Sequence, residues 1–99
     1  MFTAHSIAVR RATESDRAVL ERLAALDSAP VPTGEVLIAS VDDEPQAAIA
    51  VADGVTIADP FRPTADLVEL LQLRVARLRG RTDERRGLLR TLRSAYRTA

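Results

Sequence analysis

Hydrophobic and polar positions repeat with two different periods along this chain, and together the two periods predict an α+β fold. Short runs of β-branched and aliphatic residues between turn residues are typical of strands. Apolar residues that recur every three or four positions are typical of helices packed on one face. These patterns predict strands at 7–11, 35–41, 46–52 and 55–58 and helices at 13–26, 65–79 and from about residue 82 onward.

The strands are expected to form one small, mostly antiparallel sheet of four strands with helices packed on it. Tight turns at Asp42–Pro45 and Asp53–Gly54 join three of the strands into a meander. The strand at 7–11 is expected to join the same sheet. Thr13 and Asp16 have the spacing of a helix capping box. Several strand positions hold alanine, which is a poor strand former and predicts close approach by helices.

The region after residue 64 carries the strongest helical pattern. Gly80 is expected to end the helix predicted at 65–79, because glycine is common just past a helix end. This divides the chain into an α+β domain, 1–79, and a basic amphipathic helical tail, 80–99. Two interaction surfaces are predicted. The apolar face of the helix at 65–79 consists of Leu67, Leu70, Leu71, Val75 and Leu78, and the arginine stripe of the tail consists of Arg86, Arg90, Arg93 and Arg97.

Charge is distributed unevenly along a chain whose net charge is zero. Residues 1–73 hold five arginines and twelve acidic residues, a net charge of −7, and residues 74–99 hold nine arginines and two acidic residues, a net charge of +7. All fourteen basic residues are arginine, which we attribute to the codon bias of a GC-rich bacterial genome. An acidic body (residues 1–73) with a basic end (residues 74–99) of equal charge favours association between copies. The alternatives are a solvated arginine face, docking of the arginines on acidic residues of the same chain, a separate protein partner, a nucleic acid or an anionic membrane surface.

Composition excludes several kinds of site. The 99 residues make one domain, without cysteine and with His5 as the single histidine, so thiolate metal sites, histidine clusters and serine–histidine triads are not expected. No apolar run approaches the roughly 20 residues that span a bilayer, and the N-terminus lacks the order of a signal peptide. A cytoplasmic location is expected. The acidic turn at 42–44 and Asp59 are expected to be a solvated turn and a strand end rather than a cation site and a catalytic base.

The order of these elements resembles the N-terminal part of the Gcn5-related N-acetyltransferases (the GNAT fold). The opening I-A-V-R-R-A-T-E-S-D is similar to that family's first strand and helix, and V-L-I-A-S-V-D-D-E-P-Q-A-A-I-A-V is similar to its central hairpin. V-T-I-A-D-P-F-R-P-T-A-D-L lies where the family carries its acyl-CoA motif, a strand followed by R/Q-x-x-G-x-G/A and a helix. The resemblance covers roughly residues 7–79.

Two departures from the family pattern bear on activity. Ala65 and Leu67 stand where the motif has glycines, and Asp66 adds a negative charge where a diphosphate would lie. The family's later strand has no counterpart, because residues 80–99 are predicted to be helical. If an acyl-CoA site nevertheless exists, the resemblance implies that Arg62, Thr64, Ala65 and Leu67 would bind acetyl-CoA. No catalytic residue, metal or cofactor is expected otherwise.

The function predicted from the sequence is a non-catalytic module for protein interaction or self-assembly, with the homodimer as its expected form. A four-stranded sheet that stops at this point leaves an edge open to pairing. The first alternative is an N-acetyltransferase or acyl-CoA-binding protein whose site is completed across a dimer. Nucleic-acid binding through the arginine-rich tail is the third hypothesis, disfavoured by the zero net charge and by the shortage of aromatic residues.

Overall fold

The computed structural model of the protein describes the backbone of residues 6–97 and the side chains of residues 6–81; His5 therefore lies outside the described residues. The predicted fold class is confirmed, since four antiparallel strands form one sheet in the order β1-β2-β3-β4. The elements are β1 Ile7–Arg11, a 3₁₀ turn Glu14–Asp16, α1 Arg17–Leu26, β2 Val36–Val41, β3 Glu44–Ala50, β4 Thr56–Ala58 and α2 Ala65–Arg97.

Helix α1 covers one face of the sheet. Its apolar stripe meets side chains from the three strands of the meander, and the seven core residues on this side are at most 8% exposed. This explains one of the alanines, because Ala48 is completely buried beneath the helix. The core on this face consists of Leu20, Leu23, Ala24, Val36, Ile38, Ala48 and Ile57.

Helix α2 covers the opposite face with its first four turns. Ala39 and Ala47 are paired across β2 and β3 on this face and are both completely buried. Their small side chains let the helix lie close to the sheet, as the alanine-rich strands predicted. The core on this face consists of Leu37, Ala39, Ala47, Ile49, Leu67, Leu71 and Val75.

The β2–β3 hairpin turns in two residues rather than four. Asp42 and Asp43 both have positive φ, 49° and 67°, which is the conformation of a type I′ hairpin turn and is tolerated by aspartate. Strand β3 therefore starts at Glu44, two residues earlier than predicted, and passes through Pro45. Further along, Ala39 pairs with Ala47 but its neighbour Ser40 pairs with Pro45, so Gln46 is the extra residue of a β-bulge.

The predicted end of a helix at Gly80 is wrong, because α2 continues without interruption to Arg97. Gly80 does not have a positive φ, and a Cβ built on it would meet nothing within 4 Å. Glycine terminates a helix by adopting a left-handed conformation, and at Gly80 that conformation is absent. A glycine in a helix interior is tolerated at a cost of about 1 kcal/mol relative to alanine.

Only part of α2 can lie on the sheet. The longest strand, β3, has seven residues and spans about 24 Å. Residues 65–79 of α2 span a similar distance, about 22 Å. At the end of this stretch the Arg79 guanidinium donates hydrogen bonds to the carbonyl oxygens of Val51 and Ala52, at 2.9 and 2.8 Å. The remaining eighteen helical residues extend for about a further 27 Å.

The two edges of the sheet differ. Strand β4 has only three residues, and its Ala58 N–H donates to Oδ2 of Asp27, 3.2 Å away, in the loop after α1. Strand β1 has five residues and pairs with β2 alone among the described strands. Short strands and side-chain caps are common ways to block an edge, so β1 is the more open of the two.

Candidate functional site

A concave surface of the described residues lies where α2 begins, over the ends of β1, β2 and β3. It is a groove of about 360 Å³. Apolar side chains from the sheet and the helix form its walls, among them Ile7, Val41 and Leu67. The turn that precedes α2 forms one side of the groove and the β2–β3 hairpin the other.

The turn before α2 is held by hydrogen bonds of Asp59. Its carboxylate Oδ1 accepts from the Phe61 N–H at 2.9 Å, and its carbonyl oxygen accepts from the Arg62 N–H at 3.3 Å. Aspartate often stabilises a turn in this way. The geometry therefore agrees with the interpretation of Asp59 as a residue that ends a strand.

Arg62 bridges the two sides of the groove. Its Nη2 lies 2.8 Å from Oε1 of Glu44 on the opposite hairpin. Asp59 and Asp66 lie nearer to Arg62 along the sequence, but its partner in the structure is Glu44. Both side chains are nearly half exposed, so the pair contributes at most about 1 kcal/mol; its main effect is to close that end of the groove.

The residues of the acetyl-CoA alternative lie at the start of α2, and of these Arg62 and Leu67 line the groove. Thr64 precedes the helix, and its carbonyl accepts the Val68 N–H at 2.9 Å. Leu67 is 3% exposed and packs into the core, Ala65 is exposed, and Arg62 is engaged by Glu44. Asp66 is exposed in the first turn of the helix. A carboxylate at that position takes the place that the helix dipole would offer to an anionic ligand.

Charge in the groove is predominantly negative. Three carboxylates line it, those of Asp42, Glu44 and Asp66, against the single guanidinium of Arg62. Among the side chains that the structure describes, residues 6–81, no group of three histidine, cysteine or acidic residues could hold a metal ion. No helix of the described residues is long and apolar enough to cross a membrane. The groove is therefore suited to a cationic group with an apolar stem rather than to an anion.

Comparisons with known proteins give no assignment: no protein-family model, no curated protein and no solved structure matches this chain. The resemblance to the acetyltransferase family stays a prediction, and the function of the chain has to be inferred from its own residues.

The predicted interaction residues fall into two groups. Leu67, Leu71 and Val75 are 0–4% exposed and bury themselves against the sheet of their own chain, and Leu70 and Leu78 are partly buried. The N-terminal part of α2 therefore buries its apolar face in the core of its own chain. The backbone of α2 runs through the positions of the other group, whose side chains lie outside the described residues: Arg86, Arg90, Arg93 and Arg97.

Two features of the site were not predicted from the sequence. One is the bulge at Gln46, which depends on the pairing register of two strands. The other is the ion pair between Arg62 and Glu44, whose partners lie 18 residues apart. A local sequence pattern does not encode either feature, although the proline at the start of β3 is a sign of irregular pairing.

Proposed function

We propose that this chain is a self-association module that acts as a homodimer, in which the basic end of α2 contacts the acidic body of a second copy. The observation that carries the proposal is the length of α2. Eighteen of its residues extend past the sheet of their own chain, and helices in water owe most of their stability to packing against other surfaces.

Charge identifies a second copy as a suitable surface. Residues 74–99 carry a net charge of +7 and residues 1–73 carry −7. In the body, Arg10, Arg11 and Arg62 already pair with carboxylates of the same body. The other two arginines of residues 1–73 are Arg17 and Arg22, which are fewer than the remaining acidic residues. The body therefore has a surplus of negative charge that the arginines of another copy can neutralise.

An antiparallel arrangement of two α2 helices pairs the opposite charges at both ends of each helix. The N-terminal end of α2 adjoins Asp66 and the acidic groove, and the C-terminal end is rich in arginine. A two-fold axis across two antiparallel α2 helices places each basic end beside the acidic end of the other helix. Two-fold contacts of this kind are the commonest form of homo-oligomer. A cytoplasmic location is part of the same proposal, to be tested by cell fractionation.

Light scattering with matched charge variants tests the proposal. At tens of micromolar and low salt, the natural chain is expected to have about twice the 10.8 kDa mass of one chain. Replacing two arginines in the part of α2 that extends past the sheet, residues 80–97, with the double substitution Arg90→Gln and Arg93→Gln is expected to shift the chain to monomer. The control, Arg17→Gln with Arg22→Gln on α1, removes the same charge from the body and is expected to leave the dimer intact. Equal effects of the two pairs would contradict the proposal.

The acyltransferase alternative is checked in the same preparation by calorimetric titration with acetyl-CoA. No heat of binding is expected, because Asp66 and the buried Leu67 occupy the positions that the diphosphate would need. Micromolar binding of acetyl-CoA would overturn the assignment of the groove to a cationic group and would restore the acetyltransferase hypothesis.

A further inference from the structure

The acidic groove contains a polar side chain without a partner. Gln46 is 6% exposed and lines the groove. Among the described residues, no hydrogen bond is made by its side-chain amide, although its backbone carbonyl accepts the Asp59 N–H at 2.9 Å. Every fully buried side-chain nitrogen or oxygen of the described residues has a hydrogen-bond partner. Since the Gln46 amide has no partner, its polar atoms are not fully buried, and the groove is the surface that they reach.

The β-bulge explains how this amide reaches the groove. Side chains alternate between the two faces of a regular strand, and Ala47 faces α2. In a regular strand its neighbour Gln46 would face α1. Because Gln46 is the extra residue of the bulge, its side chain turns to the α2 face, where the groove lies. Bulges often redirect a side chain beside a functional site.

The surroundings of Gln46 specify the chemistry of the missing partner. Three carboxylates and one guanidinium line the groove, so a bound cation would be stabilised and a bound anion repelled. The amide oxygen of Gln46 can accept a hydrogen bond from such a cation. The apolar wall formed by Ile7, Val41 and Leu67 can pack against an aliphatic stem. An arginine side chain has both parts.

We propose that the groove receives an arginine side chain from the C-terminal part of α2 of a second copy. All basic residues of this chain are arginine, and nine of the fourteen follow residue 73. The groove adjoins the opposite end of α2, which is where the antiparallel dimer brings the partner's basic end. This inference rests on the proposed self-association and specifies the contact that holds it.

Engineered cysteines test proximity directly, because the natural chain has none. Chains carrying Asp66→Cys are mixed with chains carrying Arg90→Cys or Arg93→Cys under mild oxidation, and a disulfide-linked pair of the two different chains is expected. The control replaces Asp66→Cys with Glu21→Cys, on the helix that covers the other face of the sheet, and is expected to give no such pair. Equal cross-linking from both positions would overturn the assigned contact.

Affinity measurements supply the second test. Asp66→Asn is expected to raise the dimer dissociation constant about fivefold at low salt, as expected for loss of one partly exposed charge pair. Gln46→Leu, which removes the acceptor at similar volume, is expected to act in the same direction. Glu21→Gln is the matched control and is expected to change the constant less than about twofold.

The outcomes separate the two proposals. If the natural chain is a monomer, self-association fails and the arginine contact fails with it. If the chain dimerises but Asp66→Asn leaves the dissociation constant unchanged and the cysteine pairs do not form, the dimer stands and the groove contact is wrong. If Gln46→Leu does not fold, the Asp66 variants still decide the question.

Discussion

Asp16 shows how one side chain can organise the entry into a helix. Its carboxylate oxygens accept hydrogen bonds from both terminal nitrogens of Arg10 at 2.7 Å and from the Thr13 N–H at 2.7 Å. The bonds from Arg10 first, and that from Thr13 second, hold the pKa of Asp16 well below its ordinary range. The capping relation between Thr13 and Asp16 was predicted from their spacing. The bond to Arg10, which ties the helix entry to β1, was not.

The depressed pKa gives a pH-dependent prediction. In the unfolded chain an aspartate titrates near pH 3.9, so its native interactions stabilise the fold above about pH 4, and this contribution is lost as the pH falls toward the folded pKa. Asp16→Asn is expected to lower the urea midpoint at pH 7, with the difference from the natural chain shrinking below about pH 4. Glu14→Gln, an exposed carboxylate in the same turn, is the control. A difference that stays constant from pH 7 to pH 2 would contradict the role assigned to Asp16.

At the scale of elements, the alanines of the central strands set the spacing between sheet and helices. Ala48 is completely buried under α1. Ala48→Val is expected to lower the free energy of unfolding by about 1–3 kcal/mol, because the added methyl groups have no free volume to enter. Ala8→Val, at an exposed position of β1, is the matched control and is expected to change stability by less than about 0.5 kcal/mol. Denaturant unfolding of both variants checks this, and equal effects would contradict close packing of α1 on Ala48.

The continuous α2 makes a prediction opposite to that of a helix ending at Gly80. Gly80→Ala is expected to increase helix content by circular dichroism and to stabilise α2 by about 1 kcal/mol, since the added Cβ meets no neighbour. Gly54 has a φ of +75°, and Gly54→Ala is expected to destabilise the chain by about 1 kcal/mol or more. If Gly80→Ala were destabilising instead, α2 would not continue through residue 80.

The sequence allows most elements of this fold to be predicted, because each has a local signature. Strand β1 matches its predicted range, and β4 differs by one residue. The errors arise where local signals compete with tertiary ones. Gly80 has the local sign of a helix end, yet the helix continues. Pro45 suggested a turn, yet two aspartates with positive φ complete the turn first. The candidate site could be predicted only in part, since the amide of Gln46 enters the groove through a bulge that depends on strand register.

At the scale of the whole molecule, helix α2 consists of two parts that differ in composition. Its first fifteen residues, 65–79, complete the core, to which Leu67, Leu71 and Val75 contribute. Its remaining turns extend past the sheet and carry the positive charge that the body lacks. We therefore expect the contact between copies to be largely electrostatic. Charge pairs at partly exposed surfaces weaken as salt screens them, with a Debye length of about 8 Å at physiological ionic strength.

Sedimentation equilibrium of the natural chain at low and high salt tests the proposed self-association most directly. We expect a homodimer at tens of micromolar and low salt, with a dissociation constant that rises steeply as salt is added. A monomer under all these conditions would contradict the proposal, as would a dimer whose dissociation constant does not change with salt.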